Sequence, residues 1–112
     1  MQFEIREGRL ADAEVAGMIC YEAFSTISQQ HGFEPDFPSV EMARDLLQIL
    51  FSRPDVYSAV AESEGRVVGS NFLWEDSAIA GIGPLTVMPE AQSGKVGRGL
   101  MEDVLAHARN KH

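Results

Sequence analysis

Disulfide chemistry is the first thing this sequence rules out. Cys20 is the only cysteine in 112 residues, so no intrachain bridge can form, and a reducing compartment fits. Long apolar runs are also missing: none approaches the ~20 residues a helix needs to cross a bilayer. The opening Met1-Gln2-Phe3-Glu4 lacks the charged-then-apolar design of a signal peptide. The expected location is the cytoplasm. Positive charge is scarce. Nine Lys and Arg against 17 Asp and Glu leave a net charge of −8, which argues against general nucleic-acid binding. No internal repeat, low-complexity tract or linker is visible, and no metal-ligand set is assigned. At 45% hydrophobic and 23% charged, the composition is that of one globular domain over residues 1–112.

The apolar pattern divides the chain into elements. Residues 2–7 alternate, with Phe3 and Ile5 on one face and Glu4 and Arg6 on the other, which predicts a short strand ended by Gly8. Residues 11–27 repeat at helical spacing, with Val15, Ile19, Ala23 and Ile27 as the buried stripe and Ala16, Cys20 and Phe24 beside it. Cys20 on that face reads as a buried structural thiol, because apolar surroundings suppress the thiolate. Residues 28–38 hold Gly32, Pro35 and Pro38 and predict a loop. His31, Phe33 and Phe37 either line a pocket or, for the phenylalanines, pin the loop to the core. Ser39 is positioned to cap a helix to about Ser52, with Met42, Leu46, Ile49 and Leu50 as its stripe and Ala43 and Leu47 beside it. Residues 56–62 and 66–74 read as strands joined by a hairpin turn in which Gly65 is free to take positive φ. A second hairpin over 74–77 leads into a strand over 79–87. Gly83-Pro84 within that strand predicts a bulge or an unpaired side.

The last third carries the chemistry. Thr86 and Val87 favour an extended backbone, and Pro89 ends it. A polar turn of small residues follows from Gln92 to Gly97. From Val96 the spacing predicts a helix, with Val96, Leu100 and Val104 buried and Gly97, Met101, Leu105 and Ala108 beside them. The helix opens with Lys95 and Arg98 and has no acid before Glu102. Cations there oppose the helix dipole, at about 0.3–1 kcal/mol each when exposed, and a bound anion reverses that sign. Free amides, small residues and two cations suit a phosphate or diphosphate. An ordinary loop-to-helix junction with solvated charges stands as the alternative. Two familiar phosphate loops do not fit. A Walker A loop fails at Pro89 and Val96, and the glycines at 94, 97 and 99 have the wrong spacing for GxGxxG.

Residues 85–90, Leu-Thr-Val-Met-Pro-Glu, followed by 92–98, Gln-Ser-Gly-Lys-Val-Gly-Arg, resemble the acetyl-CoA signature of the GNAT N-acetyltransferases. That signature is Gln/Arg-x-x-Gly-x-Gly/Ala after a strand ending Val-x-Pro. The sequence departs from it at one place, where Lys95 stands at the first signature glycine and Gly94 falls one place early. The resemblance implies an α/β (α+β) fold with a mixed, mainly antiparallel sheet in the order β-α-α-β-β-β-α. It covers essentially every residue and matches the N-terminal two thirds of the family's fold, truncated after the third helix. It implies acetyl-CoA as cofactor. Leu85, Thr86 and Val87 would face the pantetheine arm, and Gln92, Ser93, Gly94, Lys95, Val96, Gly97 and Arg98 would wrap the pyrophosphate. It implies that the fourth strand is bulged, with Gly83-Pro84 at the bulge, that this strand splays from a fifth, and that the cofactor arm enters the gap between those two strands.

The resemblance assigns no catalytic acid or base. The glutamate that some relatives carry six residues before the Val of Val-x-Pro is replaced here by Gly81. Glu75 and Asp76 lie at the adjacent turn, where acids are usually solvated. Tyr21 and Tyr57 do not match the family's tyrosine. The implied function is transfer of an acetyl group to an amine by direct attack, with a small-molecule or peptide amine as acceptor and neither nucleic acid nor membrane as partner. The alternative is a non-catalytic CoA-binding or self-associating module. A fourth strand left as a sheet edge invites pairing with another chain, so a homo-oligomer is expected.

Overall fold

The computed structural model describes residues 2–31, 39–75 and 81–111, with the backbone alone at 27–31, 92–94 and 110–111. Strand β1 (Glu4–Glu7) pairs antiparallel with β2 (Val56–Ser63), and β2 with β3 (Arg66–Trp74). Two short strands, β4 (Gly81–Ile82) and β5 (Thr86–Val87), both pair antiparallel with β3. Helices α1 (Ala13–His31) and α2 (Val40–Ser52) cover one face of this sheet, where Ala16, Cys20, Leu47 and Leu50 meet Val56 and Phe72. Helix α3 (Val96–Lys111) covers the other, where Val96, Leu100 and Val104 meet Ala59, Ala61, Val68, Leu73 and Val87.

The β2–β3 hairpin closes through Glu64 and Gly65, both at positive φ, between the paired Ser63 and Arg66. β1 is tied in by charge as well as by its ladder. Arg6 gives a two-pronged pair to Asp12 at 2.9 and 3.0 Å and reaches Glu62 at 3.1 Å. Burial alone would push the Asp12 carboxyl up. Hydrogen bonds from Arg6 and from the Arg9 amide outweigh that and hold it below the usual carboxylate range.

Both α1 and α2 are turned relative to the sequence expectation. A 3-10 turn at Leu10–Asp12 precedes α1, whose buried side is Ala13, Ala16, Ile19 and Cys20, while Val15 is 45% exposed. In α2, Ser39 caps the helix by accepting from the Met42 amide as expected. Its buried side is Ala43, Leu47 and Leu50, and Met42 and Ile49 face outward. The physical reason is the crossing of the two helices. A Cβ on Gly17 would lie 2.6 Å from the Arg44 Cα, so the helices touch backbone to backbone there. That close approach draws in the small residues flanking Gly17 and leaves the larger Val15, Met18 and Met42 outside. Helix α1 also continues through residues 28–31, where a loop was expected. Phe33, Phe37 and the rest of 32–38 lie outside the described residues, as do Asp76 and the remainder of the second hairpin. Helix α3 agrees with its pattern: Val96, Leu100 and Val104 are fully buried.

The expected strand over 79–87 is two strands with a break between them. Leu73 pairs with Ile82, Ser70 pairs with Thr86, and the chain between leaves the ladder at Gly83-Pro84-Leu85. Gly83 has φ +119, a backbone shape closed to other residues without strain. Three residues of one strand thus stand opposite two of the other, Asn71 and Phe72.

Candidate functional site

The break and the turn after β5 together form the candidate site. After Val87, the Met88 amide donates to Val68 O at 2.9 Å, the last rung on β3. Pro89–Gly94 forms a 3-10 turn, and Lys95 takes the left-handed conformation, φ 66 and ψ 15. That conformation is ordinarily glycine's, which accounts for a glycine at this position in the signature. Lys95 adopts it with its side chain exposed.

Helix α3 then begins. Its first regular ladder bond is Gly99 N to Lys95 O at 3.0 Å. The amides of Val96, Gly97 and Arg98 come before it, at the positions where a helix leaves donors without intrahelical acceptors. The first turn holds no acid. Among the described residues only Val87 Cγ2, at 3.8 Å, comes near the place a Cβ on Gly97 would occupy. Anions are favoured at such a helix start by both its dipole and its amides.

The expected site residues divide by what they can offer. Leu85 is exposed at the break, and its amide has no partner among the described residues. Thr86 and Val87 are buried, and Thr86 Oγ1 lies 3.5 Å from Ser70 Oγ. The Val96 side chain is fully buried in the α3 core, so only its backbone is available to a ligand. Gln92, Ser93 and Gly94 contribute the backbone of the 3-10 turn. Arg98 is 75% exposed and pairs with Glu102 at 2.9 Å across one helical turn. The set is therefore one corner, made largely of backbone, with two exposed cations.

Sequence reasoning missed three residues here. Glu102 occupies the Arg98 guanidinium, a pairing that the i, i+4 spacing on a helix announces. Asn71 is fully buried in β3, donates nothing from Nδ2, and accepts from the Phe72 amide at 2.9 Å. Trp74 donates from Nε1 to Gly83 O at 2.8 Å. Asn71 had a visible signal, as an amide inside an otherwise apolar strand; Trp74 had none.

A second polar group lies beneath the far end of α3. The Tyr57 hydroxyl donates to Asp103 at 2.6 Å, and its ring stacks on His107 with centroids 3.7 Å apart. His107 Nε2 lies 3.4 Å from Glu75 Oε1. Burial and then the Asp103 carboxylate push the Tyr57 hydroxyl well above its ordinary value. This tyrosine is held neutral and bonded, away from the α3 start. A concavity of 1330 Å³ lies elsewhere again. Glu4, Glu62, Glu64 and Glu90 line it together with Arg66, an acidic wall that disfavours phosphate. Among the described residues no helix is long and apolar enough to cross a membrane, and no His, Cys, Asp and Glu cluster is arranged to hold a metal ion.

Comparison with known proteins bears on this geometry. Residues 20–112 match the family model described as the acetyltransferase (GNAT) family. Among solved structures, PaiA N-acetyltransferase from Thermoplasma acidophilum, in complex with coenzyme A, is 18% identical with a TM-score of 0.74, over 99% of this chain and 74% of that one. A GNAT family acetyltransferase from Brucella melitensis, in complex with acetyl-CoA, is 23% identical with a TM-score of 0.73, over 98% and 70%. Glucosamine-6-phosphate N-acetyltransferase from Arabidopsis thaliana is 16% identical with a TM-score of 0.65, over 99% and 77%. At these identities the likeness is one of fold. No match was found among curated protein sequences.

Proposed function

We propose, from the premise that the chain belongs to the GNAT acetyltransferase family, that it binds acetyl-CoA at the break and the α3 start and transfers the acetyl group to an amine. The observation that carries this is the α3 start itself: amides ahead of the first ladder bond, no acid in the first turn, and Lys95 and Arg98 beside them. The amides of Val96, Gly97 and Arg98, with the turn 92–95, would hold the diphosphate. Leu85, Thr86 and Val87 would present their strand edge to the pantetheine arm, chiefly through backbone. Two of the similar structures carry coenzyme A or acetyl-CoA.

Bound acetyl-CoA would supply its acyl group as a thioester, whose C–S bond breaks as the amine nitrogen forms the new C–N bond and the departing sulfur takes the amine's proton. This chain's part is to orient and polarise. An amide without a partner among the described residues, such as Leu85 N–H at the break, is the kind of fixed donor that stabilises charge developing on a carbonyl oxygen. Arg98 would exchange Glu102 for a phosphate oxygen. Among the described residues bordering the break, Asn71, Phe72, Trp74, Gly83 and Leu85, no side chain is a base. That observation favours attack by an amine that arrives neutral. It also gives a second reading its support: a module that binds CoA without catalysing transfer. The net charge of −8 favours an amine over a nucleic acid as acceptor.

The outer edge at β4, with Ile82 exposed, is where a second copy would pair, leaving the edge at residues 85–87 to the cofactor arm. A monomer by light scattering at micromolar concentration would overturn that part. Calorimetric titration with CoA tests the binding site, and absence of binding overturns the proposal. Thiol release from acetyl-CoA with a panel of amines separates the enzyme from the binding module.

A further inference from the structure

Among the described residues two that are not glycine take positive φ, Glu64 at 54 and Lys95 at 66. Glu64 is accounted for by its turn. With Gly65, φ 79, it forms the two-residue loop between the paired Ser63 and Arg66, and the favoured two-residue hairpin turn needs positive φ at both central positions. Lys95 is in no hairpin, and the acetyl-CoA signature carries glycine at its position. A side chain there is disfavoured by its own Cβ. Nothing in the protein offsets that cost: the Lys95 side chain is exposed and has no hydrogen bond or ion pair among the described residues. Its place on the helix adds a second cost. Lys95 directly precedes α3, and its carbonyl accepts that helix's first bond, from Gly99 N at 3.0 Å. The residue in that place is ordinarily Ser, Thr, Asp or Asn, whose oxygen accepts from an amide of the first turn. A lysine has no acceptor to give, and it sets a positive charge against the positive end of the helix dipole. Arg98, the other cation of this corner, is already paired with Glu102 at 2.9 Å.

We propose that Lys95 is a specificity-determining residue for the cofactor: its ammonium pairs with the diphosphate that the α3 amides hold, and affinity is gained there at the expense of fold stability. The inference rests on the reading of the α3 start as the diphosphate seat. It goes beyond that reading by giving a side chain a share of the binding at a position where the signature has bare backbone. The physical case is that both costs disappear when an anion is present. A diphosphate oxygen takes the place of the missing cap acceptor, and the charge that opposed the dipole becomes the anion's counter-charge. A strained backbone kept at a ligand corner, with no partner inside the protein to explain it, is what such a trade of stability for binding leaves behind.

The test uses the full chain with Lys95→Gly, Lys95→Met and Lys95→Arg. The glycine removes strain and charge, the methionine removes the charge alone, and the arginine removes neither. Each protein is titrated with CoA and with dephospho-CoA, which keeps the diphosphate but lacks the 3′-phosphate, and each is unfolded in urea. For Lys95→Gly the affinity for both ligands falls about fivefold, the scale of one charge pair with water close by. Its urea midpoint rises by about 0.5 M as the strain is relieved. Lys95→Met loses the same affinity with a smaller rise in midpoint, and Lys95→Arg keeps the wild-type affinity. The losses shrink at high salt. Undiminished or tighter CoA binding by Lys95→Gly makes the side chain an obstruction and overturns the inference, while the α3 start stands as the site. Wild-type affinity in Lys95→Met overturns it equally, because charge then has no part. A loss seen with CoA and absent with dephospho-CoA overturns it by moving the ammonium to the 3′-phosphate. A wild-type chain that binds neither ligand overturns both the inference and the site it rests on.

Discussion

Reversing the charge of Arg98 separates a ligand-binding role from a structural one. In the free protein Arg98→Glu loses the exposed pair with Glu102, which is 2.9 Å long with side chains 75% and 64% exposed. Such a pair contributes about 0.3–0.5 kcal/mol. The new Glu–Glu spacing costs about as much again. Against this, the substitution places an acid in the first turn of α3, which the dipole favours by about 0.3–1 kcal/mol. The three effects nearly cancel, so the folding free energy should move by less than about 1 kcal/mol. Binding has no such compensation. A cation near a diphosphate becomes an anion. At about 5 Å and with water close by, each of those two charge steps is worth about 1 kcal/mol, since a fully aqueous pair gives slightly less and a half-buried one about three times more. The sum, about 2 kcal/mol, is a loss of roughly thirtyfold in CoA affinity. Calorimetric titration gives the affinity, and urea unfolding followed by Trp74 fluorescence gives the stability. The affinity loss should shrink at high salt. An equal loss of stability and affinity would make Arg98 structural. Full affinity in the variant would remove the α3 start from the binding site.

Glu102→Gln frees the Arg98 guanidinium from its partner, and CoA affinity should rise about twofold, the scale of one exposed pair; a fall would mean that Glu102 helps to hold the ligand. Tyr57→Phe removes the hydroxyl that Asp103 accepts at 2.6 Å and should cost about 1.5–3 kcal/mol in denaturant unfolding, the range for hydrogen bonds to a charged group; a cost below half a kcal/mol would reduce that bond to a surface contact. Asp12→Asn tests a pH dependence whose sign follows from the depressed carboxyl. A carboxyl held below its unfolded value of about 3.9 stabilises the fold above that pH and stops doing so as pH falls through its folded value. Wild type should therefore exceed the variant by about 1–3 kcal/mol at pH 7, and the gap should narrow steadily below pH 4; a gap of equal size at pH 7 and pH 3 would locate its origin in packing rather than charge.

The sequence was most legible where one constraint acted alone. Val96, Leu100 and Val104 face a single sheet, so their helical spacing named the buried side of α3 correctly. Helices α1 and α2 must each satisfy two neighbours, the sheet and one another. Their apolar residues are spread more widely than one face can hold, and periodicity alone set both stripes off centre: Ile19 and Leu50 are buried as expected, but Val15, Met42 and Ile49 are exposed. What decides the phase is Gly17 against the Arg44 backbone, a contact between residues 27 positions apart that no local pattern encodes.

The candidate site divides in the same way. Its local parts could be read in order: Pro89 ending a strand, a small-residue turn, a helix with cations and no acid at its start, and Gly83-Pro84 breaking the ladder. The left-handed turn at Lys95 could not be read from that lysine itself, because the preference for glycine there was violated. Only the register of the surrounding signature marks the position as special. The devices at the break were hidden for another reason. Asn71 and Trp74 act on backbone groups of Phe72 and Gly83, and which backbone groups lack partners is known only once the strands are paired. A ladder that opens where two side chains stand in for its rungs is a tertiary property. The sequence alone therefore locates the break without disclosing which side chains take up its backbone groups.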